Sequence, residues 1–184
     1  MIILSTLEMN PIETLRHSYL PTVCKVVLIG ESAPDGGNFF YKGDTLCTYT
    51  KEAFCIAFPD ANIPNDNMMF LNFFRDHGFY LDDLSLITIN NAGPQTRQQH
   101  NREGVPALAN RLKDYKPEVV ICIMLAISDY VIYSRKILYI SSRISIFHRN
   151  RRAEYRKISP SKCSKNCSNN RSTILLTIKS WEVI

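Results

Sequence analysis

Three apolar segments of the chain predict the strands of a β-sheet. The first, Val26–Gly30, is rich in β-branched residues and stops at a glycine that Glu31 follows directly. The second, residues 84–90, mixes β-branched residues with alternation and ends at the polar Asn90. The third, residues 118–125, is continuously apolar, which is typical of a strand covered on both faces.

Segments with helical periodicity or helix-start signals separate these runs. Each is bounded by a capping residue, a proline or a glycine, which are the residues that begin and end helices. Helices are expected from Pro11 after an Asn10 cap, after Thr48 or Thr50, over residues 68–77 and over residues 104–115, with an exposed polar loop over residues 91–103.

The alternation of strands and helices predicts parallel βαβ units with right-handed crossovers. The expected fold class is α/β, as a three-layer α/β/α sandwich with a short parallel sheet. Residues 131–146 contain β-branched and aromatic residues that could supply a fourth strand. We therefore expect one α/β domain over residues 1–150 and a basic tail over residues 151–184 that is disordered or diverged.

The composition of the 184 residues excludes several classes of protein. No stretch of about 18 apolar residues exists, so no membrane partner is expected. The apolar first residues lack a basic region and a cleavage site, which indicates a cytoplasmic protein with reduced cysteines. Cys163 and Cys167 form the one close cysteine pair, but no second pair completes a ligand set, so neither a metal nor a cofactor is expected.

Charge is divided unevenly along the chain. Residues 1–134 carry a net charge of −5, whereas residues 135–184 carry +10. A basic segment of this kind suggests a polyanionic partner, for which DNA is the candidate. A solvated basic tail with no partner explains the same charges equally well.

The segment from Gly30 to Tyr41, GESAPDGGNFFY, resembles motif 1 of the uracil-DNA glycosylase superfamily, in particular a branch with GES-P followed by FFY. The likeness extends through TKEAF, FFRDHGFYLDDL and KPEVVICIM, and so covers residues 24–132. The resemblance implies the same sandwich fold and hydrolysis of the N-glycosidic bond of a deaminated base in DNA. In one departure from the usual order, Ser32 and Ala33 both precede Pro34, which makes the loop one residue longer.

The resemblance also implies roles for particular residues. Glu31 would position the attacking water, with Asp35 as second choice, and Phe40 or Tyr41 would stack on the flipped base. Alternatively, Glu31 caps a turn or pairs with a surface base, and two of the three residues Phe39, Phe40 and Tyr41 belong to the core.

Two further residues would complete the site. The superfamily places an asparagine after the second strand, where its amide matches the pyrimidine edge, and Asn90 stands at that position. Asn90 is equally well explained as a turn former. The His-Pro-Ser-like loop expected after the fourth strand is missing, and His148, in a basic run, is the candidate that remains; a solvated histidine is the simpler interpretation.

Two other functions are compatible with this sequence. One is a catalytically inactive copy that binds nucleic acid or nucleotide, which the missing second motif favours. The other is a nucleoside hydrolase that uses the same pocket on free substrate.

Overall fold

The structure, a computed structural model, describes residues 10–137 and 143–146. Its strands form one parallel sheet in the order β2-β1-β3-β4, in which Val26 of β1 is paired with Phe79 of β2 and with Val119 of β3. The α/β class and the parallel sheet are thereby confirmed. The strands are β1 (Val26–Gly30), β2 (Phe79–Asp83), β3 (Val119–Cys122) and β4 (Arg143–Ile146).

Helices precede β1 and fill the connections between the strands. Side-chain caps begin three of them, since Asn10, Asp44 and Asp66 each accept a hydrogen bond from a backbone N–H of the first turn. The Asn10 cap is confirmed, whereas Asp44 replaces the predicted Thr48 or Thr50. The helices are α1 (Pro11–Ser18), α2 (Thr45–Ala57), α3 (Asn67–Asp76), α4 (Pro94–Tyr115) and α5 (Ser128–Ile137), with short 3-10 turns at Phe40–Lys42 and Leu125–Ile127.

The second strand differs from the prediction. It covers Phe79–Asp83 and follows α3 after only two residues, whereas residues 84–90 form a loop in which Leu86 and Ile87 are exposed. The apolar pattern was misleading because β2 ends in two buried carboxylates, Asp82 and Asp83, which look like loop residues in the sequence.

The longest helix also differs from the prediction, because α4 begins at Pro94 and includes most of the segment expected to be a loop. The nine residues after Pro94 are polar because that part of the helix is largely exposed. Within the range suggested for a fourth strand, residues 131–137 belong to α5 and Arg143–Ile146 form β4. His148 and the predicted tail, residues 151–184, lie outside the described residues.

Helices α1 and α4 are tied to β2 by a buried ionic cluster. Arg16 of α1 is 1% exposed and donates to Asp82 Oδ1 at 3.4 Å and to Asp83 Oδ2 at 2.7 Å. Arg111 of α4 donates from Nε to Asp82 Oδ2 at 2.7 Å. Burial raises the pKa of Asp83 to about 6, against the opposing charge of Arg16. The cluster therefore depends on every partner being present.

Helix α4 also makes a very close backbone approach to the loop after β2. A Cβ atom added at Gly104 would lie 2.4 Å from the carbonyl oxygen of Leu84. Only glycine fits there, although glycine normally weakens a helix. Across the described part of the chain, no helix is long and apolar enough to cross a bilayer.

Replacing Arg16 with methionine should lower the free energy of unfolding by about 3–5 kcal/mol, because the buried carboxylate of Asp83 loses its ion-pair partner and Asp82 keeps only Arg111. Urea denaturation measures the change. The matched control is Arg75→Met, since Arg75 pairs with Asp76 at the surface and such pairs are worth about 0–1 kcal/mol. Equal effects of the two variants would contradict the importance of the buried cluster.

Gly104→Ala should destabilise the protein by about 1–3 kcal/mol, because the added methyl group collides with backbone rather than with a movable side chain. At an ordinary helix position the same change would stabilise the helix by up to about 1 kcal/mol. Gly36→Ala is the control, since no heavy atom of the described residues lies within 4 Å of a Cβ there. A higher urea midpoint for Gly104→Ala would refute the close approach.

Candidate functional site

The strand order reverses direction between β1 and β3. From β1 the chain moves to β2 on one side, and from β2 it crosses to β3 on the other side. In open α/β sheets the crevice at such a reversal, outside the carboxyl ends of the strands, is where ligands bind. Glu31 is the first residue after β1, and it therefore lies at this crevice.

Gly30, the last residue of β1, allows a neighbouring carboxylate to lie against the strand. A Cβ atom at Gly30 would be 2.4 Å from Asp83 Oδ1, the side chain of its partner residue in β2. The glycine before Glu31 is therefore required by the buried cluster. Beyond it, the Ser85 N–H donates to the Glu31 carbonyl oxygen at 2.9 Å, so the backbone of Glu31 is held as well.

Two side chains of α4 hold the carboxylate of Glu31. The Asn101 amide donates from Nδ2 to Oε1 at 3.0 Å, and the Arg97 guanidinium donates from Nη2 to Oε2. The Glu31 side chain is 8% exposed and that of Arg97 is 38% exposed, so Arg97 forms the solvent side of the pair. Asn101 is buried beneath them.

These contacts set the charge of Glu31. Burial by itself would raise the pKa of this carboxyl, but the hydrogen bonds from Arg97 and Asn101 and the charge of Arg97 outweigh burial and lower it below its ordinary value. Glu31 is therefore an ionised acceptor at neutral pH. It can orient a water molecule or stabilise a positive charge, but it holds no proton to donate as a general acid.

Asp35 and Asn90, two of the sequence-predicted residues, lie on the loops beside Glu31. Ser32 Oγ donates to Asn90 Oδ1 at 3.0 Å, and Asn91 Nδ2 donates to Asp35 Oδ2 at 2.8 Å. The loop after β1 is thus bonded to the loop after β2. Asn90 reaches this edge from an exposed loop position and not from the end of a strand, as had been expected.

The two predicted stacking residues belong to the core. Phe40 is 2% exposed and packs against Phe74 at 5.4 Å between ring centroids. Tyr41 is 1% exposed, stacks on Tyr19 at 5.0 Å, and donates from its hydroxyl to the Leu81 carbonyl oxygen at 2.9 Å. The expectation of accessible aromatic faces is therefore wrong for this structure. A role for these rings in binding a base stays a prediction.

Arg97 and Asn101 are the site residues that the sequence analysis missed. They are four positions apart, a spacing that puts two side chains on one face of a helix. That signal could be used only if residues 91–103 were recognised as helical, and their polar composition hid the helix. His148, the candidate from the second motif, lies outside the described residues.

A surface cavity lies outside the Glu31 site. A surface cavity of about 520 Å³ is lined by Lys25, Arg75, His77 and Gly78, among others, and so lies at the amino ends of β1 and β2, opposite Glu31. Within residues 10–137 and 143–146, no group of three or more His, Cys, Asp or Glu side chains is arranged to hold a metal ion.

Comparison with known proteins does not assign a family. No protein-family model matches this sequence, and a search of curated proteins finds no match. A function must therefore be argued from the Glu31 site itself.

Titration of Glu31 should show a pKa below its ordinary value of 4.5. The stability that its contacts contribute is complete above the unfolded-state pKa and is lost as pH falls through the lower folded-state pKa. The stability difference between the wild type and Glu31→Gln should therefore be constant near neutral pH and shrink below about pH 4.5. Carbon-13 NMR of the Glu31 carboxyl measures the pKa directly.

The matched control for this titration is Asn101→Leu, which removes one of the two hydrogen bonds to the carboxylate. Its Glu31 pKa should be higher than that of the wild type. A wild-type pKa at or above 4.5 would contradict the hydrogen-bonded arrangement described here.

Proposed function

We propose that the protein is a uracil-DNA glycosylase-like enzyme that hydrolyses the N-glycosidic bond of a deaminated base in DNA. The observation that supports this most strongly is the ionised, nearly buried carboxylate of Glu31 at the strand-order reversal. A carboxylate after the first strand is what the resemblance of GESAPDGGNFFY to motif 1 implies.

The fold proposed for this enzyme is the three-layer sandwich. Right-handed crossovers would put α2 and α3 on one face of the sheet and α4 and α5 on the other. Contacts between the helices support this grouping, since α2 packs on α3 and α4 packs on α5. In that arrangement α4 reaches the carboxyl ends of β1 and β2, where it meets Glu31.

The proposed chemistry needs little beyond a fixed negative charge and an aimed water molecule. As the C1′–N bond breaks, its electron pair leaves with the base and positive charge develops on the sugar. The Glu31 carboxylate stabilises that charge and orients a water molecule, whose oxygen bonds to C1′ while its proton passes to the carboxylate or solvent. Asn90 is proposed to bind the base edge, because it is an exposed amide on the loop beside Glu31, where its Oδ1 accepts from Ser32.

DNA is the proposed partner because of charge. Residues 135–184 contain twelve Lys or Arg against two Asp or Glu. Such a segment can neutralise backbone phosphates and offset the few kcal/mol that extruding a base costs.

A second candidate is a non-catalytic copy that binds nucleic acid. The observation in its favour is that Phe40 and Tyr41 are covered by the core, so the aromatic face expected for a flipped base is absent from the surface of the described residues at those positions. Both carboxylate oxygens of Glu31 also accept hydrogen bonds from α4, and this favours the non-catalytic candidate too.

Excision is tested with a labelled single-stranded oligonucleotide that carries one uracil, followed by alkali to reveal abasic sites. The wild type should produce cleavage at the uracil. Glu31→Gln should lower the rate by at least about 100-fold while DNA binding remains, because the charge that stabilises the sugar cation is lost.

The control for excision is Asp35→Asn, a carboxylate on the same loop that is exposed and bonded to Asn91. It should retain most of the activity. Full activity in Glu31→Gln would rule out the proposed role of Glu31, and a larger loss in Asp35→Asn would transfer that role to Asp35. Folded wild type without any excision on uracil, hypoxanthine or mismatched thymine would favour the non-catalytic candidate.

A further inference from the structure

The guanidinium of Arg97 has N–H donors that its contact with Glu31 does not use. A guanidinium carries several N–H donors in a planar fork, and Glu31 occupies one edge of it. For the rest of the Arg97 side chain, the described residues provide no hydrogen-bond or ion-pair partner. The side chain is 38% exposed, whereas the carboxylate it supports is 8% exposed.

This arrangement puts a solvent-exposed, donor-rich cation in contact with the candidate catalytic group. Arg97 is the more exposed member of its pair with Glu31, and the planar guanidinium fork matches the oxygens of a phosphate better than it matches any group of a neutral nucleoside. Arg97 also keeps its contact with Glu31 through a different N–H, so both interactions are compatible with one conformation.

We propose that Arg97 binds a phosphate group adjacent to the nucleotide whose base is removed. The substrate class is then phosphate-bearing, a strand or a nucleotide, and the free nucleoside is excluded. This inference rests on the proposed function, because it places the substrate at Glu31. It gives Arg97 two roles, as the residue that positions Glu31 and as a contact to the substrate.

A variant at Asn101 distinguishes the two proposed roles of Arg97. It supports the same carboxylate from below at 3.0 Å, but it is 5% exposed and cannot reach a bound strand. A variant at Asn101 therefore disturbs Glu31 without removing a phosphate contact. Lys25 provides a different control, because it is a cation at the opposite end of the sheet.

The experiment measures binding of a uracil-free single-stranded oligonucleotide by fluorescence anisotropy over a range of salt concentrations. Each phosphate contact contributes about 0.7 to the magnitude of the slope of log K against log salt for single strands. Arg97→Met should reduce that magnitude by about 0.7, whereas Arg97→Lys should retain most of it because it keeps the charge. Asn101→Leu and Lys25→Met should leave the slope unchanged.

Competition identifies the source of the phosphate. Deoxyuridine should not displace the oligonucleotide, and a dinucleotide with an internal phosphate should do so more effectively than deoxyuridine monophosphate if the substrate is a strand. More effective displacement by the monophosphate would keep the phosphate contact and identify a free nucleotide as its source.

Three results would overturn the inference. The first is an unchanged salt slope in Arg97→Met. The second is an equal change of the slope in Asn101→Leu, which would mean that the effect acts through Glu31. The third is the absence of salt-dependent binding by the folded wild type. Because this measurement uses DNA without a removable base, it does not depend on excision. A protein that binds through Arg97 but never excises would contradict the proposed enzyme and leave the phosphate contact established.

Discussion

The buried ion pairs at the end of β2 are the interaction on which the rest of this edge depends. Asp82 and Asp83 have little access to water, and Arg16 of α1 and Arg111 of α4 supply the hydrogen bonds and opposite charge that compensate their burial. The pairs therefore tie two helices from distant parts of the chain to one strand. They also require Gly30 at the end of β1, where a side chain would collide with Asp83.

The same helix that closes the cluster builds the candidate site. Four residues along α4 make these contacts. Arg111 donates to the carboxylate of Asp82, and Gly104 lies against the backbone of Leu84. Asn101 and Arg97 donate to the two carboxylate oxygens of Glu31. A rigid helix fixed at two points has little freedom at a third. The geometry around Glu31 is thus a consequence of packing several residues away, which is a reason to expect stability variants in α4 to affect function.

Glu31 shows how neighbours decide the chemistry of a buried acid. Burial favours the protonated carboxyl, which would suit a general acid, whereas the donors from α4 favour the carboxylate, which suits water orientation and stabilisation of a cation. The donors prevail here. The proposed hydrolysis of an N-glycosidic bond would use this carboxylate, and a phosphate held by Arg97, as proposed, would bring the sugar of a strand to it.

The sequence by itself determined β1, its terminal Gly30–Glu31 step, the Asn10-capped α1, the presence of α3 and the parallel α/β class, because local periodicity and capping govern these features. Only the tertiary structure decided the rest. β2 could not be located from its pattern, because its buried aspartates are compensated by arginines that are distant in sequence, such as Arg16 and Arg111, which lie 66 and 29 residues from Asp82. The first half of α4 looked like a loop, because a largely exposed helix needs few apolar residues. Phe40 and Tyr41 were predicted to be accessible to a flipped base. The sequence could not reveal their burial, because whether a ring is covered depends on residues that are distant along the chain.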